Sequence, residues 1–111
     1  AVPLARSRRL PPIVGVGDLS RPPSAPDLAN RLARAYPDDA RKNGIAGKAV
    51  IRARIMPDGH VREMSMLSES AGGFGAACEL TLRDSIWTAP LDQQAHAVST
   101  FITYTCRFEV Q

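Results

Sequence analysis

At 111 residues, 44% hydrophobic and 23% charged, the chain has the size and composition of one globular domain and leaves no room for a second. Its formal charge of +3 would by itself invite a nucleic-acid or anionic-membrane partner. The excess is confined to the first third, however: residues 1–34 hold six arginines against two aspartates, whereas the remainder holds eight basic and nine acidic residues, and no apolar run approaches the roughly 20 residues of a bilayer-spanning helix.

Six of the nine prolines (Pro3, Pro11, Pro12, Pro22, Pro23 and Pro26) fall in the first 26 residues, where no helical or strand period is sustained. Proline removes backbone donors and fixes φ, so residues 1–23 read as a basic, extended linker. Its Ile13-Val14-Gly15-Val16-Gly17 and Leu19 are apolar enough to dock on a surface. The chain begins at Ala without an initiator Met, which reads as a trimmed or processed product. The folded domain is expected from 24 to 111. Ser24, followed by Pro26 and Asp27, reads as a helix start, with Leu28, Leu32 and Ala35 as its apolar face. Pro37 interrupts that helix, and Asp38-Asp39 begin a second short one that stops at Asn43-Gly44.

Ala49, Ile51, Ala53 and Ile55 alternate with Val50, Arg52 and Arg54, which predicts a half-buried strand with the two arginines on its solvated face. Asp58-Gly59 supplies the positive φ of a hairpin turn. A second strand runs from Val61 to about Ser68; Val61, Met64 and Met66 fall out of alternation by one residue, so a bulge is expected near Arg62-Glu63. Phe74, Cys78, Leu82 and Ile86, spaced by four, mark an amphipathic helix ending before Pro90. Val98, Thr100, Ile102, Tyr104, Cys106, Phe108 and Val110 form the apolar side of a long closing strand over residues 98–110.

The ordered set Tyr36-Pro37, Ala40-Arg41, Gly44-Ile45-Ala46-Gly47, Asp58-Gly59-His60-Val61, Ser68-Glu69-Ser70, Trp87, Pro90 and Phe108 resembles the TonB C-terminal domain over residues 28–110. Two details depart from the family pattern. The helix before Trp87 reads about two residues long, and Trp87 stands three before Pro90 where four is common. The resemblance implies an α+β fold of order ααββαβ, a three-stranded antiparallel sheet with helices packed on one face, the first strand central and the last an edge. It further implies a non-enzymatic periplasmic energy transducer that binds an outer-membrane transporter segment by strand addition. Force would come from an inner-membrane ExbB/ExbD-type motor, through an anchor helix upstream of this sequence.

An edge strand offers unpaired N–H and C=O groups that an incoming peptide can complete. The closing strand is long, β-branched and aromatic, and lacks Pro or Lys, so Ser99, Thr100, Phe101, Thr103, Thr105 and Arg107 are the candidate partner-binding edge. Coverage of that edge by the linker or by a second copy in a homodimer is the alternative. By the resemblance, Arg34, Tyr36 and Pro37 lie beside the docked peptide; a plain helix break with a core tyrosine is the competing reading. An alternative role is structural or signalling, with a TonB-like fold acting in cell-wall attachment or motility.

Cys78 and Cys106 both point into the layer between helix and sheet, which permits a disulfide suited to an oxidising periplasm, or two buried thiols acting as small hydrophobes. A cysteine pair is uncommon in this family and is similar to that of the related TolA C-terminal domain. The other candidate chemistry is thin, and no metal, cofactor, nucleic-acid partner or catalytic residue is expected. Zinc would need more ligands than these, with His60 in a turn and His96 in a loop. Ser68 and Ser70 have no triad context, and Gly72-Gly73-Phe74-Gly75 lacks the Lys-Ser/Thr ending of a phosphate loop.

Overall fold

In the computed structural model, which describes residues 13–110, the alternating segment after Gly47 becomes the central strand of a three-stranded antiparallel sheet. The elements are α1 (Ala29–Ala35), α2 (Asp38–Lys42), β1 (Gly47–Ile55), β2 (Val61–Glu69), α3 (Phe74–Arg83) and β3 (Thr100–Phe108), preceded by a 3-10 turn at Val16–Asp18. The sheet order is β2-β1-β3, so the expected ααββαβ arrangement is the observed one. The part of the predicted linker before Ile13 lies outside the described residues.

Period two decides which face of β1 is buried. Ala49, Ile51, Ala53 and Ile55 are fully buried and form one cluster with Phe74, Cys78 and Leu82 of α3. β1 opens on Gly47, where any Cβ would collide with the Phe74 ring and the Ser70 hydroxyl. The Asp58-Gly59 turn forms as expected. Gly59 has φ +88°, and any side chain on it would strike the Trp87 carbonyl. Its own carbonyl accepts the Trp87 N–H at 2.8 Å. The His60 N–H donates to Asp58 Oδ1 at 3.0 Å, and that bond first, then the imidazole beside it, holds the Asp58 carboxyl below its ordinary value of 3.8. This contact is therefore present at neutral pH and is given up only as the pH falls below 3.8 and the carboxyl protonates.

The two ladders on β1 differ. The β1–β3 ladder runs through nine consecutive pairs, from Gly47 opposite Phe108 to Ile55 opposite Thr100, without a shift. The β1–β2 ladder shifts twice, between Val50 and Ile51 and between Arg52 and Arg54. The second shift is the bulge expected near Arg62-Glu63, where Glu63 takes φ +51°.

Four expectations need correction. Ser24 does not cap α1: the N-cap position is Leu28, without a side-chain cap, and the Ala29 N–H donates to Asp27 Oδ1 at 3.0 Å, while Ser24 Oγ donates to Thr88 Oγ1 at 2.8 Å. Ile86 is 52% exposed, because α3 stops at Arg83 and the i+4 stripe ends with it. The closing strand is shorter than residues 98–110: Val98 gives its N–H to the Pro90 carbonyl instead of to β1, and Val110 is 53% exposed beyond the last pair. Arg54 is not solvated but buried, as described below.

Cys78 and Cys106 form a disulfide joining α3 to β3, with Cα atoms 5.8 Å apart and both residues fully buried. The closed loop spans a separation of 28 residues, which in the chain-entropy treatment stabilises the fold by roughly 3–4 kcal/mol. Cys78→Ala with Cys106→Ala should therefore lower the unfolding free energy by about 3 kcal/mol, read from urea denaturation; a loss below about 1 kcal/mol would show that closing this loop does little for the fold.

Candidate partner-binding site

β3 has β1 on one side only. Which of its backbone groups face outward follows from two contacts. The Lys48 carbonyl accepts the Ser70 N–H at 2.9 Å, so even-numbered residues of β1 turn their polar groups to β2 and odd-numbered ones to β3. At the other border, the Ser99 carbonyl points away from β1 and accepts the Val14 N–H at 2.9 Å. Alternation then turns the N–H and C=O of Phe101, Thr103, Thr105 and Arg107 outward. Among the described residues these groups have no hydrogen-bond partner. Thr103 and Arg107 are exposed, Phe101 and Thr105 half-buried.

A groove of about 870 Å³ runs along this edge, between the entry to α1 and the second half of β3. Leu28, Leu32 and Tyr36 form its α1-side wall, Tyr104 and Phe108 its floor, and Arg34 and Arg107 its rim. Packed aromatic rings support the floor. Tyr36, Phe74 and Phe108 form a three-ring cluster, Tyr36 edge-on to both at 5.9 and 5.6 Å and the two phenylalanines stacked at 4.9 Å. Trp87 meets Tyr104 edge-on at 5.5 Å from behind, its indole N–H donating to Ser85 Oγ at 2.9 Å. Tyr36 Oη donates to the Ile45 carbonyl. Arg41 stacks over the Tyr36 ring at 5.5 Å and donates to the Ala33 carbonyl, which fixes the end of α1 to the Tyr36-Pro37 bend.

The candidate residues therefore fall into three groups. Phe101, Thr103, Thr105 and Arg107 form one open row. Arg34 and Tyr36 line the groove beside it, whereas Pro37 sits at the bend and its ring packs toward Gly73. Ser99 and Thr100 are buried and already engaged by the chain itself: Ile13 bridges Ser99 in parallel, and the Thr100 hydroxyl donates to the Val14 carbonyl at 2.6 Å. Sequence reasoning missed Leu28, Leu32, Arg41, Tyr104 and Phe108 as groove residues. Leu28, Leu32, Tyr104 and Phe108 read correctly as helix face or apolar strand side, and Arg41 only as part of the resemblance; what joins them is the register of β3 against β1, which no local spacing encodes.

On the sheet face away from the helices, Arg54 is only 3% exposed. Its Nε donates to Ser99 Oγ at 3.0 Å, and its Nη1 reaches Glu63 Oε1 at 3.2 Å. A buried guanidinium needs such partners, and the bulge that gives Glu63 its positive φ supplies one of them. Arg52 stays exposed and lays its guanidinium 3.8 Å from the centre of the Phe101 ring.

A family model described as "Gram-negative bacterial TonB protein C-terminal" matches residues 33–110. The solution NMR structure of the Pseudomonas aeruginosa TonB CTD has the same fold, with a TM-score of 0.53 at 17% identity, covering 68% of this chain and 77% of that one. No curated protein is significantly similar in sequence.

The ring cluster sets the cost of disturbing the groove. Tyr36→Phe should lose the bond to Ile45 and about 1 kcal/mol of stability. Tyr36→Ala should lose about 3–5 kcal/mol by opening the cluster. Chemical denaturation of both variants checks the order, and equal losses would show that the hydroxyl, not the ring, carries the site.

Proposed function

The chain belongs to the Gram-negative bacterial TonB protein C-terminal family, and from that membership we propose that it is the periplasmic end of an energy transducer, gripping a segment of an outer-membrane transporter by strand addition. Pull originates in a proton-driven inner-membrane motor of the ExbB/ExbD type and reaches this domain through chain that precedes it. The observation that supports the reading is the open row Phe101, Thr103, Thr105 and Arg107 beside an apolar-floored groove. No helix among the described residues is long and apolar enough to cross a membrane, so anchoring to the inner membrane is assigned to sequence outside them.

Strand addition suits the task physically. Each ladder hydrogen bond contributes only about 1 kcal/mol net, but bonds arranged along a strand share a load applied parallel to it. β3 is also the better of the two edges. β2, on the other side, is interrupted by two register shifts, the kind of irregularity that discourages pairing. β3 has none over nine pairs.

The test is a backbone NMR titration of the intact chain with N-terminal plug peptides of outer-membrane transporters. Shifts should concentrate on residues 101–107 and on Arg34 and Tyr36; shifts scattered elsewhere would sink the proposal. A second copy of the chain would compete for the same edge, so the titration is made where sedimentation shows a monomer. Thr103→Pro supplies the control. The Thr103 N–H points outward, so proline there spares the β1 ladder while removing a donor and crowding the edge. Peptide affinity should fall by about tenfold or more with the β1 resonances retained.

A further inference from the structure

Residues 35–111 are nearly neutral in sum, but the fold sorts their charges by side. The sheet face turned away from the helices carries Lys48, Arg52 and Arg54 of β1, with Arg107 of β3 opposite Lys48 and Arg62 of β2 opposite Arg54. Directly opposed like charges are unfavourable on a sheet. β1 and β3 contain no acidic residue. Of the two in β2, Glu63 is engaged by the buried Arg54 at 3.2 Å, and Glu69 turns to the helix side, where its Oε1 accepts the Gly75 N–H at 2.9 Å. Lys48, Arg52, Arg62 and Arg107 are exposed, and no carboxylate lies within ion-pair distance of them among the described residues. The helices, by contrast, mix both signs, with Asp38 and Asp39 beside Arg41 and Lys42 in α2.

Four cations spread over roughly 20 Å along the strands and 10 Å across them suit many anionic groups lying in a plane, not a single one. Between them stand Ser65 and Thr103, both opposite Arg52, and Ser68 and Thr105, both opposite Val50; their hydroxyls can donate to phosphate oxygens. Phe101 is half-buried with the Arg52 guanidinium 3.8 Å from its ring centre, so no open ring is left on which a nucleic-acid base could stack. The basic tail enters beside the same face. Ile13 bridges Ser99, whose hydroxyl binds Arg54, and Arg6, Arg8 and Arg9 precede Ile13 by seven residues or fewer, within about 25 Å of chain. We propose that this face rests on an anionic bilayer surface, its cations meeting headgroup phosphates such as those of phosphatidylglycerol, with the tail arginines adding to the contact. Strand addition uses backbone groups at the edge of β3 and this contact uses side chains on the face, so each stands without the other. A basic residue near such a surface strengthens binding roughly fivefold, and four together by several hundredfold. That is a reversible contact, which holds the domain at the surface without fixing it there.

The experiment is co-sedimentation of the intact chain with vesicles of phosphatidylethanolamine and phosphatidylglycerol, against vesicles of phosphatidylcholine alone. Binding should require phosphatidylglycerol and should vanish in high salt as screening shortens the reach of the charges. Lys48→Gln, Arg52→Gln and Arg107→Gln combined should weaken it about thirty- to a hundredfold. Because the three are exposed, the variant keeps the fold, which its unchanged core resonances verify. Lys42→Gln with Arg83→Gln, which removes exposed cations from the helices, should change it far less. Spin-labelled phosphatidylglycerol should broaden the backbone resonances of Lys48, Arg52, Thr103 and Arg107 before those of α2 and α3. Absence of binding to the anionic vesicles at low salt overturns the proposal. So does binding that survives the triple face variant and is lost in Arg6→Gln, Arg8→Gln and Arg9→Gln combined, since the tail alone would then carry it. Broadening confined to the helices overturns it as well, and tighter binding to duplex DNA than to vesicles at matched phosphate would reassign the face to a soluble polyanion.

Discussion

On the proposed reading β3 must be held hard from behind while its other edge stays free from Phe101 to Arg107, and much of this small domain serves that requirement. Three devices hold it. The unshifted nine-pair ladder fixes it to β1. The Cys78–Cys106 disulfide fastens its second half to α3. The stack of Phe108 on Phe74, closed by Tyr36, pins its end. All three act from the helix side or the β1 side, and none uses the outward groups of Phe101 to Arg107. Such redundancy suits a domain of this size, whose core buries too little surface to be generous with stability. The disulfide adds constraint where a larger fold would add hydrophobic area.

The same arrangement explains why the two edges of the sheet are unequal. β2 carries two register shifts and a residue at positive φ, so its outer side is twisted and irregular. That irregularity is not idle: it turns Glu63 toward Arg54, and Arg54 in turn binds Ser99 at the start of β3. A bulge on one edge thus helps to set the beginning of the other. Arg54 is the link, and its burial is intelligible only when all three strands are considered together.

This also marks how far the sequence could be read. The alternation of Ala49, Ile51, Ala53 and Ile55, the Asp58-Gly59 turn and the displaced Met64 are local signals with local causes, and each led to the right element. The disulfide was geometrically available once Cys78 and Cys106 were placed on facing apolar sides, but the free-thiol alternative could be removed only by the packed arrangement. Ile86 misled because a four-residue spacing continues past the point where α3 stops at Arg83, and periodicity carries no end signal of its own. Arg54 misled because alternation assigns a side chain to a face and says nothing about what covers that face. The groove was least legible. Leu28 and Phe108 are brought to one cleft by register and helix placement, although each alone looks like ordinary core.

The N-terminal segment joins the domain next to β3. From Val14 to Ser24 it is attached not to α1 or the central strand but to the stretch leading into β3. The Val14 N–H binds Ser99, the Ser20 N–H and hydroxyl bind the Leu91 and Asp92 carbonyls, Arg21 binds Ala89, and Ser24 binds Thr88. On the proposed reading, a pull arriving along the tail meets this zipper first and is delivered to the chain immediately before β3. It then reaches the captured strand through β3 itself, along the axis in which ladder hydrogen bonds share load. The helices and β2 stay outside that path, and their part is to keep β3 from sliding against β1. This accounts for the concentration of the covalent cross-link, the ring stack and the uninterrupted ladder on one strand out of three.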